Sequence, residues 1–210
     1  MVEFKLFGIS IRVEPTFWLT LGLLGLMSSD PRSSEDLLWL ALFILAGFIS
    51  ILIHEMGHAL MIKRYKLPTQ VVLSNFGGYA IYPVGILNRM QSFLVTAAGP
   101  GIQIIAAAVM WYISPHLGLE GNMLNQFVGI FIFISFFWAI LNCLPILPLD
   151  GGQMLGAIMG PKRKAGVHLT GVITATLLGI LSLYTGRIFG VLFMGMFAYQ
   201  NYQAWKQTKS

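Results

Sequence analysis

The sequence predicts an all-α polytopic membrane protein with six transmembrane helices and short membrane-associated β-strands, including one hairpin. Hydrophobic residues make up 56% of the 210 residues and charged residues only 10%, and the mean hydropathy is +0.75. Several apolar runs are long enough to span a bilayer and too long for the core of a soluble domain. Basic residues collect at the ends of these runs, which is typical of membrane proteins.

Charge and cysteine content narrow the class of protein further. The net charge of +5 does not indicate a nucleic-acid partner, because the basic residues form no patch. The single cysteine, Cys143, excludes an intrachain disulfide. No cleavable signal peptide is expected at the N-terminus. We find no repeats, linkers or low-complexity stretches, so residues 1–210 are predicted to form a single domain.

The N-terminal third of the chain contains a strand pair and two helices. Apolar and polar residues partly alternate from Phe4 to Val13, which indicates a short strand pair at the membrane surface. After Pro15, the apolar run Thr16–Met27 is short for a span but is predicted as the first transmembrane helix. The second helix is predicted over Leu37–Ile62 and ends at basic residues.

A hairpin is predicted between the second and third helices. The β-prone segments Val71–Leu73 and Tyr79–Tyr82 flank the turn Asn75-Phe76-Gly77-Gly78. Non-helical backbone at membrane depth is tolerated only against protein or a water-filled cavity. Its exposed edge can pair with an extended peptide. The alternative is a surface hairpin that only connects two helices.

Four further helices complete the predicted set, over Gln91–Ile113, Leu124–Leu141, Val167–Tyr184 and Ile188–Tyr202. Gly99-Pro100-Gly101 should kink the third helix and allow close contact with another helix. With six helices, almost all basic residues fall on one side of the membrane, which identifies the cytoplasmic side. We therefore expect both termini to be cytoplasmic, in the cell membrane if the organism is prokaryotic.

The second helix contains the pattern H-E-x-x-H, from His54 to His58. Successive residues of a helix turn by roughly 100°, so both histidines and Glu55 point into one sector. Two imidazoles at this spacing can share a zinc ion, and the neighbouring carboxylate can reach a zinc-bound water. Purely structural histidines are the alternative. Three ionisable groups in an apolar span are nevertheless unfavourable without a function or good partners.

A second acidic residue, Asp150, also lies in an apolar setting. It follows a stretch with two prolines, which break the fourth helix, and it precedes Gly151 and Gly152. A zinc ion held by two histidines needs a third protein ligand and an open position. Asp150 is the candidate for this ligand, and a helix N-cap is its alternative role.

The ranges His54–His58 and Asn142–Gly152 resemble the two signatures of the site-two protease family, the intramembrane zinc metalloproteases. These signatures are H-E-x-x-H on one membrane helix and N-x-x-P-x-x-P-x-D-G on a later one. The resemblance covers nearly the whole chain, and the PDZ and CBS modules of some family members are absent from these 210 residues. Members often carry Asn three residues after a Gly-Pro pair. Here that residue is Gln103, for which the family therefore implies no role.

The resemblance implies a role for each of five site residues. His54, His58 and Asp150 would bind one zinc ion per chain. Glu55 would be the catalytic acid and base, and Asn142 would help to hold the substrate carbonyl. The implied reaction is hydrolysis of peptide bonds in or near transmembrane segments of other membrane proteins.

A transmembrane substrate must unwind locally before its backbone can be cleaved, and the predicted hairpin can hold the unwound strand. We therefore expect the substrate-binding residues to be Phe76, Gly77, Gly78 and Tyr79. The expected partners are transmembrane protein substrates and the lipid bilayer. The alternative function is a metal transporter or channel that uses the same ligands, although such proteins commonly contain internal repeats. A catalytically inactive scaffold would be expected to have lost Glu55 or a ligand.

Overall fold

The structure is a computed structural model of the chain, and it describes residues 1–28, 32–75, 77–118 and 123–208. The strands are β1 (Val2–Leu6), β2 (Ile9–Val13), β3 (Gln70–Ser74) and β4 (Gly77–Ile81). The α-helices are α1 (Pro15–Ser28), α2 (Ser34–Arg64), α3 (Arg89–Ile113), α4 (Met123–Asn142), α5 (Asp150–Met159), α6 (Lys164–Tyr184) and α7 (Ile188–Gln207). Each of the six predicted helices is present, and α5 adds a short one after the broken fourth helix.

Four helical segments of the described residues are long and apolar enough to cross a membrane. They are Ser34–Arg64, Arg89–His116, Met123–Asn142 and Pro161–Tyr184, whereas α1 is a shorter apolar helix. The second half of α7 carries Gln200, Asn201 and Lys206, which lower its hydropathy. The predicted number of six spans therefore exceeds the number that length and composition support.

The chain divides into two compact units. The first contains Met1–Val84 and Ala98–Ala139, and the second contains Gly85–Ala97 and Ile140–Ser210.

The first unit contains a four-stranded sheet in the order β1-β2-β3-β4. The predicted N-terminal strand pair is confirmed as an antiparallel β1–β2 pair, and the predicted hairpin as an antiparallel β3–β4 pair. The sequence did not predict that β2 and β3 pair in parallel, from Ser10 with Gln70 to Val13 with Leu73. This pairing joins two local hairpins into one sheet, and it leaves β1 and β4 as the end strands.

One face of this sheet packs against α1 and α2. Ile9, Ile11 and Val13 alternate along β2 and are about 1% exposed, as expected for a strand with one buried face. They share a core with side chains of both helices, including Phe17 and Ile51. Burial of this apolar surface fixes the sheet next to the part of α2 that carries the histidines.

The long helix α2 begins at a capping box. The Ser33 side chain accepts a hydrogen bond from the Asp36 amide, and the Asp36 side chain accepts one from the Ser33 amide. Lys63 and Arg64 lie in the last turn, where positive charge is favourable beside the unsatisfied carbonyl groups. The Lys63 Nζ also donates to the Phe7 carbonyl oxygen at 2.7 Å, which ties the β1–β2 turn to this end of the helix.

The second unit packs α6 and α7 around a separate apolar core. Ile146 and Ala175 are completely buried there and contact Met194 and Phe197. Arg89 donates hydrogen bonds to the carbonyl oxygens of Ala157 and Ile158 at the end of α5. The second unit also contains the stretch between α4 and α5, which carries the second predicted motif.

Candidate metal centre

The two histidines of α2 face each other across one helical turn. Their Nε2 atoms are 3.1 Å apart, and their ring centroids are 4.8 Å apart. The two residues are only 2% and 8% exposed. Two nitrogens bound to one zinc ion at about 2.0–2.1 Å each must lie within about 4 Å of each other. The predicted histidine pair is therefore brought together in a geometry that fits a single metal ion.

Gln103 of α3 holds the first of these histidines. Its Oε1 is 2.9 Å from the His54 Nδ1, and its Nε2 donates to the Ser50 Oγ at 2.8 Å and to the Ser50 carbonyl at 3.3 Å. The Ser50 Oγ is also 2.9 Å from the Ser135 Oγ of α4. Gln103, Ser50 and Ser135 are completely buried, so these hydrogen bonds satisfy polar groups that have no access to solvent.

Two glycines allow α3 to approach α2 at the histidines. A Cβ atom at Gly99 would collide with the His58 ring, and one at Gly57 would collide with the Ala98 carbonyl oxygen. The predicted close helix contact at Gly99-Pro100-Gly101 is thus confirmed at Gly99. Gly101 has open space around it, so it has no part in this contact.

Glu55 lies against the hairpin. Its side chain is 4% exposed, and a Cβ atom at Gly78 would lie 2.7 Å from the Glu55 Cγ. The absence of a side chain at Gly78 therefore lets the backbone of β4 approach the carboxylate.

The remaining hairpin residues differ in their surroundings. A Cβ atom at Gly77 would lie 3.4 Å from the Trp138 ring, and Tyr79 is 50% exposed. Phe76, which was also predicted to bind substrate, lies outside the described residues. Gly77, Gly78 and Tyr79 are all on the end strand β4.

Asp150 belongs to the second unit and is the first residue of α5. It is 7% exposed. The helix N-cap is Leu149, so the alternative role of Asp150 as an N-cap is wrong. A carboxylate in the first turn of a helix is stabilised by the positive end of the helix dipole. Asn142, the other predicted residue of this motif, is the half-buried last residue of α4.

Backbone packing holds the segment before Asp150. A Cβ atom at Gly151 would collide with the carbonyl oxygens of Cys143 and Leu144, and one at Gly152 would lie 2.5 Å from the Ile146 carbonyl carbon. Asn201 of α7 supports the same segment, because its Nδ2 donates to the Leu147 carbonyl oxygen at 2.6 Å and to the Phe197 carbonyl oxygen at 2.9 Å.

Sequence reasoning missed the buried polar residues near the two motifs. Gln103 was assigned no role, and Ser50, Ser135 and Asn201 were not singled out. A signal was present, because buried polar residues in membrane helices usually have a partner or a function. Ser50 also precedes His54 by one helical turn, on the same face of α2.

The donor groups are those that zinc prefers. His54, His58 and Asp150 each offer one ligand atom, an imidazole nitrogen or a carboxylate oxygen, and all three are buried. Two histidines and one carboxylate are the ligand set of several zinc hydrolases, in which a fourth position stays open for water.

Comparisons with known proteins agree with this chemistry. Residues 118–186 match Peptidase family M50. A zinc metalloprotease of Methanocaldococcus jannaschii is 28% identical over 204 residues, which cover 92% of this chain and 54% of that protein. The stage IV sporulation protein FB of Bacillus subtilis is 30% identical over 163 residues, which cover 75% of this chain and 51% of that protein. The chain thus spans about half the length of these relatives.

A solved structure agrees over nearly the whole chain. The site-2 protease from Methanocaldococcus jannaschii matches with a TM-score of 0.67 and 22% sequence identity, over 96% of this chain and 94% of that one. With its apolar helices, this fold identifies the chain as a multi-pass membrane protein. The resemblance first seen in the two motifs is therefore confirmed: residues 118–186 match Peptidase family M50, and the chain has the fold of a site-2 protease.

Proposed function

We propose that this protein is an intramembrane zinc metalloprotease that hydrolyses peptide bonds in or near the transmembrane segments of other membrane proteins. The observation that carries the proposal is the buried histidine pair, whose Nε2 atoms are 3.1 Å apart, with Glu55 directly beside it in the chain. A metal transporter needs the same ligands, but no observation on the described residues favours one.

In this proposal, His54, His58 and Asp150 bind one zinc ion per chain. Their support is the burial of all three side chains, the donor chemistry and the match of both sequence motifs. When bound there, a zinc ion would supply Lewis-acid chemistry for peptide hydrolysis.

The protein's own side chains move the proton and hold the substrate. Glu55 accepts the proton of the attacking water and passes it to the leaving amine, as a general base and then a general acid. Asn142 donates a hydrogen bond from its side-chain amide to the carbonyl oxygen that becomes negative during the attack. Gly78 supports the assignment of Glu55, because it allows the hairpin backbone to lie next to the carboxylate.

The hairpin binds the unwound substrate segment through the outer edge of β4. An extended peptide can add to a sheet edge by backbone hydrogen bonds, and β4 is an end strand of the sheet. Phe76, Gly77, Gly78 and Tyr79 are the proposed contacts. Proline at Ile81 in β4 should reduce cleavage and leave zinc bound, whereas proline at Lys5 in the opposite end strand β1 should change neither. If the Ile81 variant cleaves as much as the Lys5 variant, the hairpin only connects two helices and does not bind substrate.

The proposed topology has six transmembrane helices, both termini in the cytoplasm and one catalytic domain over residues 1–210. Basic residues at one side of the predicted spans support this orientation. Single cysteines placed at positions 5, 118 and 207, in a Cys143→Ala background, test it by labelling from each side. Labelling of residue 118 only from the cytoplasmic side contradicts the proposal.

The central experiment is the substitution Glu55→Gln, which keeps the size of the side chain and removes the base. Wild type and variant are co-expressed with a panel of single-span membrane proteins, and the cleavage products and bound zinc are measured. Zinc should remain bound, while cleavage should fall on the order of 10²-fold or more. Cleavage at the wild-type rate by Glu55→Gln would falsify the mechanism. A wild type that cleaves nothing, yet moves zinc across vesicles, would establish the transporter.

A further inference from the structure

We propose that Gln103 is a positioning residue that fixes the tautomer and the ring orientation of the zinc ligand His54. This inference deepens the proposed function and rests on its zinc site. It assigns a role to a residue at which the sequence departs from the pattern of the family it resembles.

One neighbour of Gln103 has only one possible hydrogen-bonding role. The Ser50 carbonyl oxygen is an acceptor, and it lies 3.3 Å from one side-chain atom of Gln103. That atom must therefore be the amide nitrogen of Gln103, which also donates to the Ser50 Oγ at 2.8 Å. An amide has one nitrogen and one oxygen, so the atom that faces His54 must be the oxygen Oε1.

This assignment determines which nitrogen of His54 carries the hydrogen. The Gln103 Oε1 can only accept, and it lies 2.9 Å from the His54 Nδ1. The Nδ1 must therefore be the donor, and in the neutral imidazole the Nε2 then carries the lone pair. The Nε2 is the atom that faces His58, so the hydrogen bond leaves the lone pair where the metal ligand is needed. Hydrogen bonds of this kind orient histidine ligands and raise their basicity.

The spacing of α3 matches the spacing of the two histidines. Gln103 and Gly99 are separated by one turn of α3, just as His54 and His58 are separated by one turn of α2. Gln103 contacts His54, while the missing side chain of Gly99 leaves room for the His58 ring. One face of α3 thus positions both rings, the first by a hydrogen bond and the second by shape.

The first measurement uses the full-length wild-type protein and needs no substitution. The protein is labelled with ¹⁵N-histidine and treated with a chelator, and the tautomer of each neutral imidazole is read from its ¹⁵N spectrum. The His54 signals are assigned by their loss in His54→Asn. We expect hydrogen on the Nδ1 of His54. Hydrogen on its Nε2 overturns the proposal.

The second measurement compares zinc affinity among three variants. Gln103→Leu removes the acceptor, and zinc should bind 10- to 100-fold more weakly, as is typical for the loss of such a partner. Gln103→Glu restores an acceptor oxygen at the same position and should recover most of that loss. Ser135→Ala removes the buried hydrogen bond between Ser135 and Ser50, which involves neither Gln103 nor His54. It should lower thermal stability while zinc affinity stays at the wild-type value.

The outcomes distinguish positioning from a general effect on stability. Wild-type zinc affinity in Gln103→Leu, or an equal loss in Gln103→Leu and Ser135→Ala, overturns the role of Gln103. If Gln103→Leu does not fold, the tautomer measured in the wild type still decides the hydrogen bond. Proteolysis is not used in either measurement. A wild type that binds zinc and cleaves nothing would therefore count against the proposed function alone.

Discussion

The histidine region of α2 and the segment before Asp150 keep polar metal-ligand candidates buried in two different ways. Around the histidines the backbone is a regular helix, and buried side chains make the supporting hydrogen bonds, from Gln103 to His54 and Ser50. Before Asp150 the backbone is irregular, and glycines allow its carbonyl groups to pack closely. The first region depends on side-chain polarity, and the second depends mainly on backbone shape.

The physical reason for this difference is the way in which the backbone amide and carbonyl groups of each region find hydrogen-bond partners. A helix satisfies its own amide and carbonyl groups internally, so only side chains remain available to orient a ligand. A segment broken by prolines leaves backbone carbonyls without helical partners, and these must be satisfied by another group or shielded. Asn201 supplies such a partner for the Leu147 carbonyl. We therefore expect the first region to be most sensitive to loss of polar side chains, and the second to be most sensitive to small steric substitutions.

The largest expected effect is on the histidine pair. A His54→Ala, His58→Ala double substitution removes both imidazoles, and we expect bound zinc to fall from one ion per chain to none. Metal analysis of the purified protein measures this directly. His116→Ala changes an exposed histidine and should retain the zinc. Full zinc retention in the double variant would contradict the site.

A second prediction tests the shape of the Asp150 segment with alanine at two glycines of α5. Gly151→Ala places a Cβ atom against the carbonyl oxygens of Cys143 and Leu144, and overpacking of this kind destabilises by about 1–3 kcal/mol. Gly156→Ala meets no atom within 4 Å and should stabilise the helix by roughly 0.5–1 kcal/mol. Thermal unfolding in detergent measures both. Equal melting temperatures would mean that glycine at 151 has no steric role.

The same test on α3 extends the comparison to the histidine region. Gly99→Ala places a Cβ atom against the His58 ring, whereas Gly101→Ala enters open space. Because the ring must move, we expect Gly99→Ala to weaken zinc binding and Gly101→Ala to leave it unchanged. Zinc titration with a competing chelator provides the measurement. If both variants bind zinc as the wild type does, His58 is not held by the shape of α3.

The smallest expected effect is at Asn201, the one buried side chain described above that supports the Asp150 segment. Asn201→Ala removes the donor to the Leu147 carbonyl oxygen, whereas the Phe197 carbonyl keeps its backbone hydrogen bond within α7. The net loss of one such hydrogen bond costs about 0.5–1.5 kcal/mol. Gln200→Ala, at the neighbouring exposed position of α7, is the control and should be close to neutral. Unfolding midpoints that do not separate the two variants would show that backbone packing alone holds the segment.

The sequence by itself determined the elements whose information is local. The i, i+4 spacing of His54 and His58 places both rings on one side of any helix that contains them. Apolar runs and turn residues located the six predicted helices, the N-terminal strand pair and the hairpin, because each depends on residues close together in the chain. Asp150 was a candidate because an acidic residue in an apolar setting is rare.

Only the tertiary structure established the contacts between distant residues. The bond from Gln103 to His54 spans 49 residues of sequence, that from Ser50 to Ser135 spans 85, and that from Asn201 to Leu147 spans 54. The parallel pairing of β2 with β3 is equally non-local. Sequence spacing does not predict these contacts, because they depend on how the helices and strands pack. The sequence therefore identified the candidate ligands, and the packing identified the residues that hold them in place.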